Sequence, residues 1–390
     1  MRTKTLRSAL WAAAITCLAA GQATAEVPDD IYQSLLKIGQ IVDPACTAKL
    51  YRPLMPAADY NAWWPQGAAA PDASKAKLYP GVSIVRDQKF GPHDKDLVDI
   101  FTPDGGAKDL PVFIWVPGGG GNKIEQQVRE SNAFYDNIGR WGTKNGFVVV
   151  TVQRHRGTNW DDGGRDIAAA VDWVKANIGR YGGDGSRIVM AAHSAGTGPT
   201  GVYVGHPERW PNGVQIKGMV YMSGGPIPTI LGAQGGGRGN AAQPGANRPG
   251  QACGITAGMA SADGAIMGPS GQEPPPPGAP AGPGRGQETL TPEQRAERDN
   301  LPGFKATPVR LMLVRAELDP NVQGDMTAAD KAVHDVLCAT EGANAKDGQG
   351  RCPAMLFARR HSHMGEVFSF DTADTSVSGP ILAFARDAVR

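Results

Sequence analysis

The chain has 390 residues, with 39 Lys and Arg against 38 Asp and Glu and a hydrophobic share of 41%. Charge this close to balance, with no concentrated basic face, excludes nucleic acid as the obvious partner. The length suffices to bury one large core or two modest ones.

Arg2, Lys4 and Arg7 form a basic start, Ser8 to Gly21 is an uncharged and mostly apolar run, and Ala23-Thr24-Ala25 supplies small residues ahead of Glu26. That layout predicts a secretory signal peptide over 1–25, with an apolar run too short to span a bilayer. Ala14-Ile15-Thr16 ahead of Cys17 is a poor lipobox. Cleavage after Ala25 removes three basic and no acidic residues, moving the formal charge from +1 to −2. No later apolar stretch is long enough to cross a membrane, so the mature chain is expected to be secreted or periplasmic. Cys46, Cys253, Cys338 and Cys352 then remain, enough for two disulfides in an oxidising compartment. Pairing Cys338 with Cys352 closes a polar Gly/Asn/Asp-rich loop and leaves Cys46 for Cys253.

Residues 26–80 read as a cover segment, with one helical pattern from Ile31 to Ile41 and then irregular sequence containing Trp63 and Trp64. From Val82 the pattern turns to strands. Val82–Val85 and Leu97–Phe101 read as a hairpin pair, and Leu110–Val116 as a strand buried on both faces. A helical stretch around Ile124 to Trp141 precedes a β-branched strand at Phe147–Val152. Ile167, Ala170, Val171, Val174 and Ile178 recur at helical spacing. Further strands are expected at Arg187–Ala192, Gly218–Met222, Val309–Val314 and Ala354–Ala358. Strands alternating with helices predict an α/β fold around a doubly wound, mostly parallel sheet. Residues 229–302 break the rhythm: rich in Gly, Pro, Ala and Gln, with Pro274–Pro277, they lack the apolar surface to offset ordering entropy. They read as a flexible low-complexity insert in an 81–390 domain, helical only near Pro292–Arg298.

Ala192-His193-Ser194-Ala195-Gly196 follows a strand and precedes a helix start. A strand-to-helix turn this tight needs small neighbours and strains its middle residue, lifting that side chain above the sheet edge. Ser194 would stand at a helix N-terminus, where backbone N–H groups favour developing negative charge. The bland alternative is a helix-capping serine. Pro117-Gly118-Gly119-Gly120-Gly121, after the Leu110–Val116 strand, lets backbone N–H groups approach an oxyanion closely. Lys123 lacks the glycine spacing of a phosphate loop, and a plain flexible turn is the remaining alternative.

The stretch Asp172-Trp173-Val174-Lys175-Ala176-Asn177-Ile178 with Tyr181-Gly182-Gly183-Asp184, leading into His193-Ser194-Ala195-Gly196, resembles the esterase and lipase branch of the α/β-hydrolase superfamily, in particular carboxylesterases and feruloyl-esterase-like proteins. Leu97–Pro103 is similar to the L-D-I-Y-x-P strand of that branch. The resemblance covers most of 82–228 and 306–390 and implies the α/β-hydrolase fold. It departs from the family's G-x-S-x-G at Ala192 and from its H-G-G-G at Pro117.

The resemblance implies Ser194 as nucleophile, with Gly119, Gly120 and Ala195 as oxyanion-hole donors. The family's chain order is Ser, acid, His. Arg315-Ala316-Glu317-Leu318-Asp319-Pro320 is similar to its G-E-x-D-P and puts Asp319 in the acid position, with Glu317 as the fallback. The family's H-x-H loop matches His361-Ser362-His363 and implies His363 as the base, with His361 as the runner-up. His93, His155, His193, His206 and His334 are left without a catalytic role, and His193 is expected to point away from Ser194. No metal is implied, because no acidic or histidine cluster accompanies His361 and His363 in sequence. No cofactor is implied either, since acyl transfer through an acyl-enzyme needs none. The expected substrate is a small-molecule or polymer-linked carboxylic ester. A non-catalytic binding protein on the same scaffold and an amidase or peptidase on the same triad are the rival readings.

Overall fold

The computed structural model describes residues 26–54, 79–119, 133–155, 159–227, 290–320, 322, 326–339 and 352–390. The expected signal peptide, Trp63, Trp64, Gly120, Cys253 and most of the insert lie outside the described residues.

Eight strands form one sheet in the order β1-β2-β4-β3-β5-β6-β7-β8. They are β1 (Val82–Lys89), β2 (Leu97–Pro103), β3 (Leu110–Val116), β4 (Val148–Gln153), β5 (Gly183–His193), β6 (Gly218–Met222), β7 (Arg310–Leu318) and β8 (Ala354–Ser362). β1 and β2 pair antiparallel, β2 also runs antiparallel to β4, and every neighbour from β4 to β8 is parallel. The expected doubly wound, mostly parallel architecture is present, in the strand arrangement of an α/β-hydrolase.

Strand alternation separates two apolar layers. From β3, Phe113 and Trp115 enter one layer with Val149, Val189, Ala191 and Met222. Helices α1 (Asp29–Ile38), α2 (Pro44–Tyr51), α3 (Ala133–Lys144) and the C-terminal α10 (Ser378–Ala388) contribute to that side. Val112, Ile114 and Val116 enter the other layer, covered by α4 (Asp162–Asn177), α5 (Thr197–Gly205), α7 (Leu301–Ala306) and α8 (Ala328–Cys338). Helix α4 packs inward through Ile167, Ala170, Val171 and Val174, the residues whose spacing marked it in the sequence.

Three departures from the sequence reading have local causes. The cover segment holds a second helix, α2: Asp43 Oδ1 accepts the N–H of Cys46 at 3.0 Å, capping a helix that starts on Pro44. Helix α7 follows α6 (Pro292–Glu297) at the end of the expected insert, where Phe304 anchors it in the core. β7 and β8 outrun their apolar runs by four residues each, to Leu318 and Ser362, so Asp319 and His363 each directly follow a strand. The remaining short helix, α9 (Gly365–Phe368), begins two residues after His363.

Cys338 and Cys352 are disulfide-bonded, as the loop between them suggested. Cys46 is fully buried, and its expected partner is among the residues left undescribed. Among the described residues no helix is long and apolar enough to cross a membrane.

Candidate active site

Ser194 directly follows β5 and opens the 3-10 turn Ser194–Gly196 that leads into α5. Its φ is +51°, the strained conformation that the tight turn requires of a non-glycine residue. The turn closes against the end of β3. A Cβ on Gly196 would stand 2.7 Å from the Pro117 carbonyl oxygen, and one on Gly118 would stand 2.9 Å from the Ser194 Cβ. Only residues without side chains fit at those two points. Ala192, where the family carries glycine, pairs with Val116 within the sheet, and its methyl joins the buried layer, so the extra carbon is accommodated.

His363 turns its ring between Ser194 and Asp319. Its Nδ1 is 2.6 Å from Asp319 Oδ1 and its Nε2 is 2.8 Å from Ser194 Oγ. An ionised carboxylate only accepts, so Nδ1 carries the proton and Nε2 presents its lone pair to the serine hydroxyl. Burial would raise the Asp319 carboxyl, but the His363 ring and the Arg315 guanidinium together hold it below its ordinary value. Arg315 bonds the other carboxylate oxygen of Asp319, the Gly224 carbonyl (2.9 Å) and both oxygens of Asp330 (2.8 Å each). Asp330 in turn closes a capping box with Thr327 at the start of α8. One helix cap therefore fixes the arginine that braces the acid.

Two more side chains, neither given a role in the site by the sequence, pack beneath it. His193 Nε2 lies 2.8 Å from the His363 carbonyl oxygen, and its ring lies 6.5 Å from that of Trp115 and 4.7 Å from that of His363, centroid to centroid. Burial, reinforced by His363, pushes the His193 ring down to about 3, so it is neutral. Glu366, fully buried on α9, lies 3.5 Å from the same Nε2, and burial drives its carboxyl well above the usual range. Arg315 stood inside the quoted Arg315–Pro320 run, and a basic residue four before the expected acid was the one available signal. Glu366 carried none, because burial is a property of the packed fold.

The two fallback residues stand elsewhere. Glu317 accepts from the Tyr32 hydroxyl at 3.1 Å and from the backbone N–H of Arg360, tying α1 to β8. His361 is buried against Ser376 Oγ (3.0 Å) and Asp374 Oδ2 (3.2 Å). Of the expected oxyanion-hole residues, Ala195 directly follows Ser194 in the turn, and Gly119, at φ +60°, lies three residues past the end of β3.

Residues 98–199 match the family model BD-FAE, about a quarter of the chain. The chain is similar to Secreted lipase 5 of Gibberella zeae, 33% identical over 131 residues that cover 30% of this chain and 23% of that one. Liver carboxylesterase 1F of Rattus norvegicus is 30% identical over 144 residues, covering 33% and 24%. Para-nitrobenzyl esterase of Bacillus subtilis is 30% identical over 112 residues, covering 25% and 22%. The match thus spans about a quarter of the length of these curated relatives. A solved structure of the esterase rPPE superimposes with a TM-score of 0.52 at 13% identity, covering 94% of this chain and 99% of that one. The chain has the α/β-hydrolase fold and, across its centre, a carboxylesterase-like sequence.

Proposed function

We propose that this α/β-hydrolase is an exported serine esterase that hydrolyses carboxylic esters through an acyl-enzyme on Ser194. The observation that carries the reading is the continuous relay from Ser194 Oγ through the His363 ring to Asp319, over 2.8 and 2.6 Å, on a serine held at φ +51°. Ser194 attacks the acyl carbon while His363 Nε2 takes its proton and then returns it to the leaving alcohol. Asp319 keeps the proton on Nδ1 and stabilises the imidazolium that forms. The backbone N–H of Ala195, with those of Gly119 and Gly120, receives the charge of the tetrahedral intermediate. Water attacks the acyl-enzyme by the same relay in reverse.

Export is supported by the basic-then-apolar start of the chain and by the Cys338–Cys352 disulfide. We assign residues 81–390 to one hydrolase domain, with 26–80 as its cover and 229–302 as an insert between β6 and β7.

The test is fluorophosphonate labelling of the mature protein beside Ser194→Ala, with a series of p-nitrophenyl esters and matched amides. Labelling lost in Ser194→Ala, with ester turnover falling by at least about 10³-fold, is expected. A folded wild-type protein that takes no label would instead be a binding protein on this scaffold. Amides cleaved as fast as esters would make it an amidase.

A further inference from the structure

A second group of polar side chains lies where the start of β2 meets the end of β4. The antiparallel pair Leu97 and Gln153 ends that ladder, which brings Asp96, just before β2, beside the Arg154-His155 segment just after β4. His93 belongs to the β1–β2 connection, and its turn is fixed: Asp96 Oδ2 accepts the His93 backbone N–H at 2.9 Å, and the Asp96 N–H donates to the His93 carbonyl at 3.0 Å. A Cβ on Gly91 would fall 2.4 Å from Asp96 Oδ2, so the glycine leaves the space that the carboxylate fills. The His93 and His155 rings stack at 4.4 Å.

We propose that His93, Asp96 and His155 form a site for a divalent metal ion of the zinc class, clamping the β1–β2 connection to the end of β4. One ligand atom from each of the three lies within 4.8 Å of the other two. Imidazole and carboxylate together are the donor set such ions take. His155 Nδ1 lies 3.0 Å from Asp96 Oδ1 and 2.9 Å from Asp166 Oδ2, yet a ring nitrogen carries at most one proton for the two carboxylates. Asp96, just before β2, and Asp166, on α4, are both buried, so water is largely removed from these two carboxyl groups. Arg154 and Asp162 also act on Asp166, adding one charge of each sign. A metal ion in place of the shared proton would satisfy Asp96 and His155 at once, with Asp166 in reach as a further oxygen donor. A tetrahedral ion at about 2.0–2.1 Å needs ligand atoms roughly 3.4 Å apart, so binding would draw in any of the three that now stand near the 4.8 Å limit. His93 is exposed and His155 half-buried, which leaves the ion a path from solvent.

The test is calorimetric titration of zinc into chelator-treated mature protein, beside His93→Gln, His155→Gln and a control, His334→Gln, on the distant α8. Wild type and control should bind one ion per chain, with both site variants at least tenfold weaker. Saturating zinc should raise the wild-type Tm by a few degrees and leave that of His93→Gln unchanged. His93 is exposed, so its substitution tests the site even if His155→Gln does not fold. Absence of stoichiometric binding by the wild type, or binding that a folded site variant retains at full strength, would overturn the proposal. Neither readout depends on ester hydrolysis, so failure here leaves the catalytic reading intact.

Discussion

The Nε2–H of His193 donates to the carbonyl oxygen of His363 across 2.8 Å, so the residue immediately before Ser194 holds the backbone of the residue whose ring faces Ser194. Serine and histidine are thereby joined twice, once through their side chains and once beneath them. Because a carbonyl can only accept, the bond also fixes the His193 tautomer. In the proposed mechanism the ring's neutrality matters: a cation there would oppose the imidazolium that His363 would become.

Removing that donor should slow chemistry more than binding. His193→Ala is expected to lower kcat by about 10- to 100-fold with little change in KM, since a loosened imidazole misaligns proton transfer. His193→Gln, whose amide reaches a similar point, should recover part of the loss. A purely structural role would show instead as a fall in active-enzyme concentration, measured by fluorophosphonate titration, with kcat per labelled site unchanged.

Arg315 carries a larger stability consequence. Arg315→Met leaves the buried carboxylates Asp319 and Asp330 without the cation they share, and we expect a loss of about 3–5 kcal/mol in urea denaturation at pH 7. The folded pKa of Asp319 is depressed, so its contribution is present above the unfolded value near 3.8 and fades as pH falls below it. The gap between wild type and Arg315→Met should therefore narrow in acid. A gap that stays constant down to pH 3 would assign the loss to packing alone.

The sheet and the relay were legible because both depend on local signals. Apolar runs bounded by Gly, Pro and Asp marked each strand, and the turn around Ser194 needs small residues at fixed spacing. The assignment of His363 over His361 rested on a family pattern; the structure places the His363 ring 2.8 Å from Ser194 Oγ and His361 against Asp374 and Ser376. What lay beyond reach was pairing between distant segments. Nothing in sequence links Asp96 to His155, or Glu366 to His193, because those contacts exist only once antiparallel register and helix docking have been set.

Glu366 offers a test of opposite sign. Its folded pKa is raised above 4.5 by burial, so the folded state holds a proton that the unfolded chain releases. Stability from this group is complete below about pH 4.5 and is lost as pH rises toward the folded value. Glu366→Gln keeps the shape and removes the titration. The variant should match wild type near pH 4 and exceed it increasingly above, by about 1.4 kcal/mol per pH unit until the native group ionises. Parallel stability curves from pH 4 to pH 8 would show that Glu366 is already charged in the folded protein.

Gly118 gives the strictest geometric test. An added methyl would stand 2.9 Å from Ser194 Cβ and 3.1 Å from the His193 carbonyl oxygen, and neither belongs to a side chain free to swing aside. Strain at Ser194 is already present at φ +51°, so the turn has little left to yield. The clash must move Ser194 relative to His363, and for a serine acting as the proposed nucleophile displacements near an ångström cost on the order of 10²-fold in rate. Gly118→Ala should therefore lower both kcat and the rate of fluorophosphonate labelling by about that factor. Tm should fall far less, because the sheet beneath is untouched. Labelling at the wild-type rate would mean that β3 and the serine turn slide past one another freely, and the rigid fit between them could not be what positions Ser194.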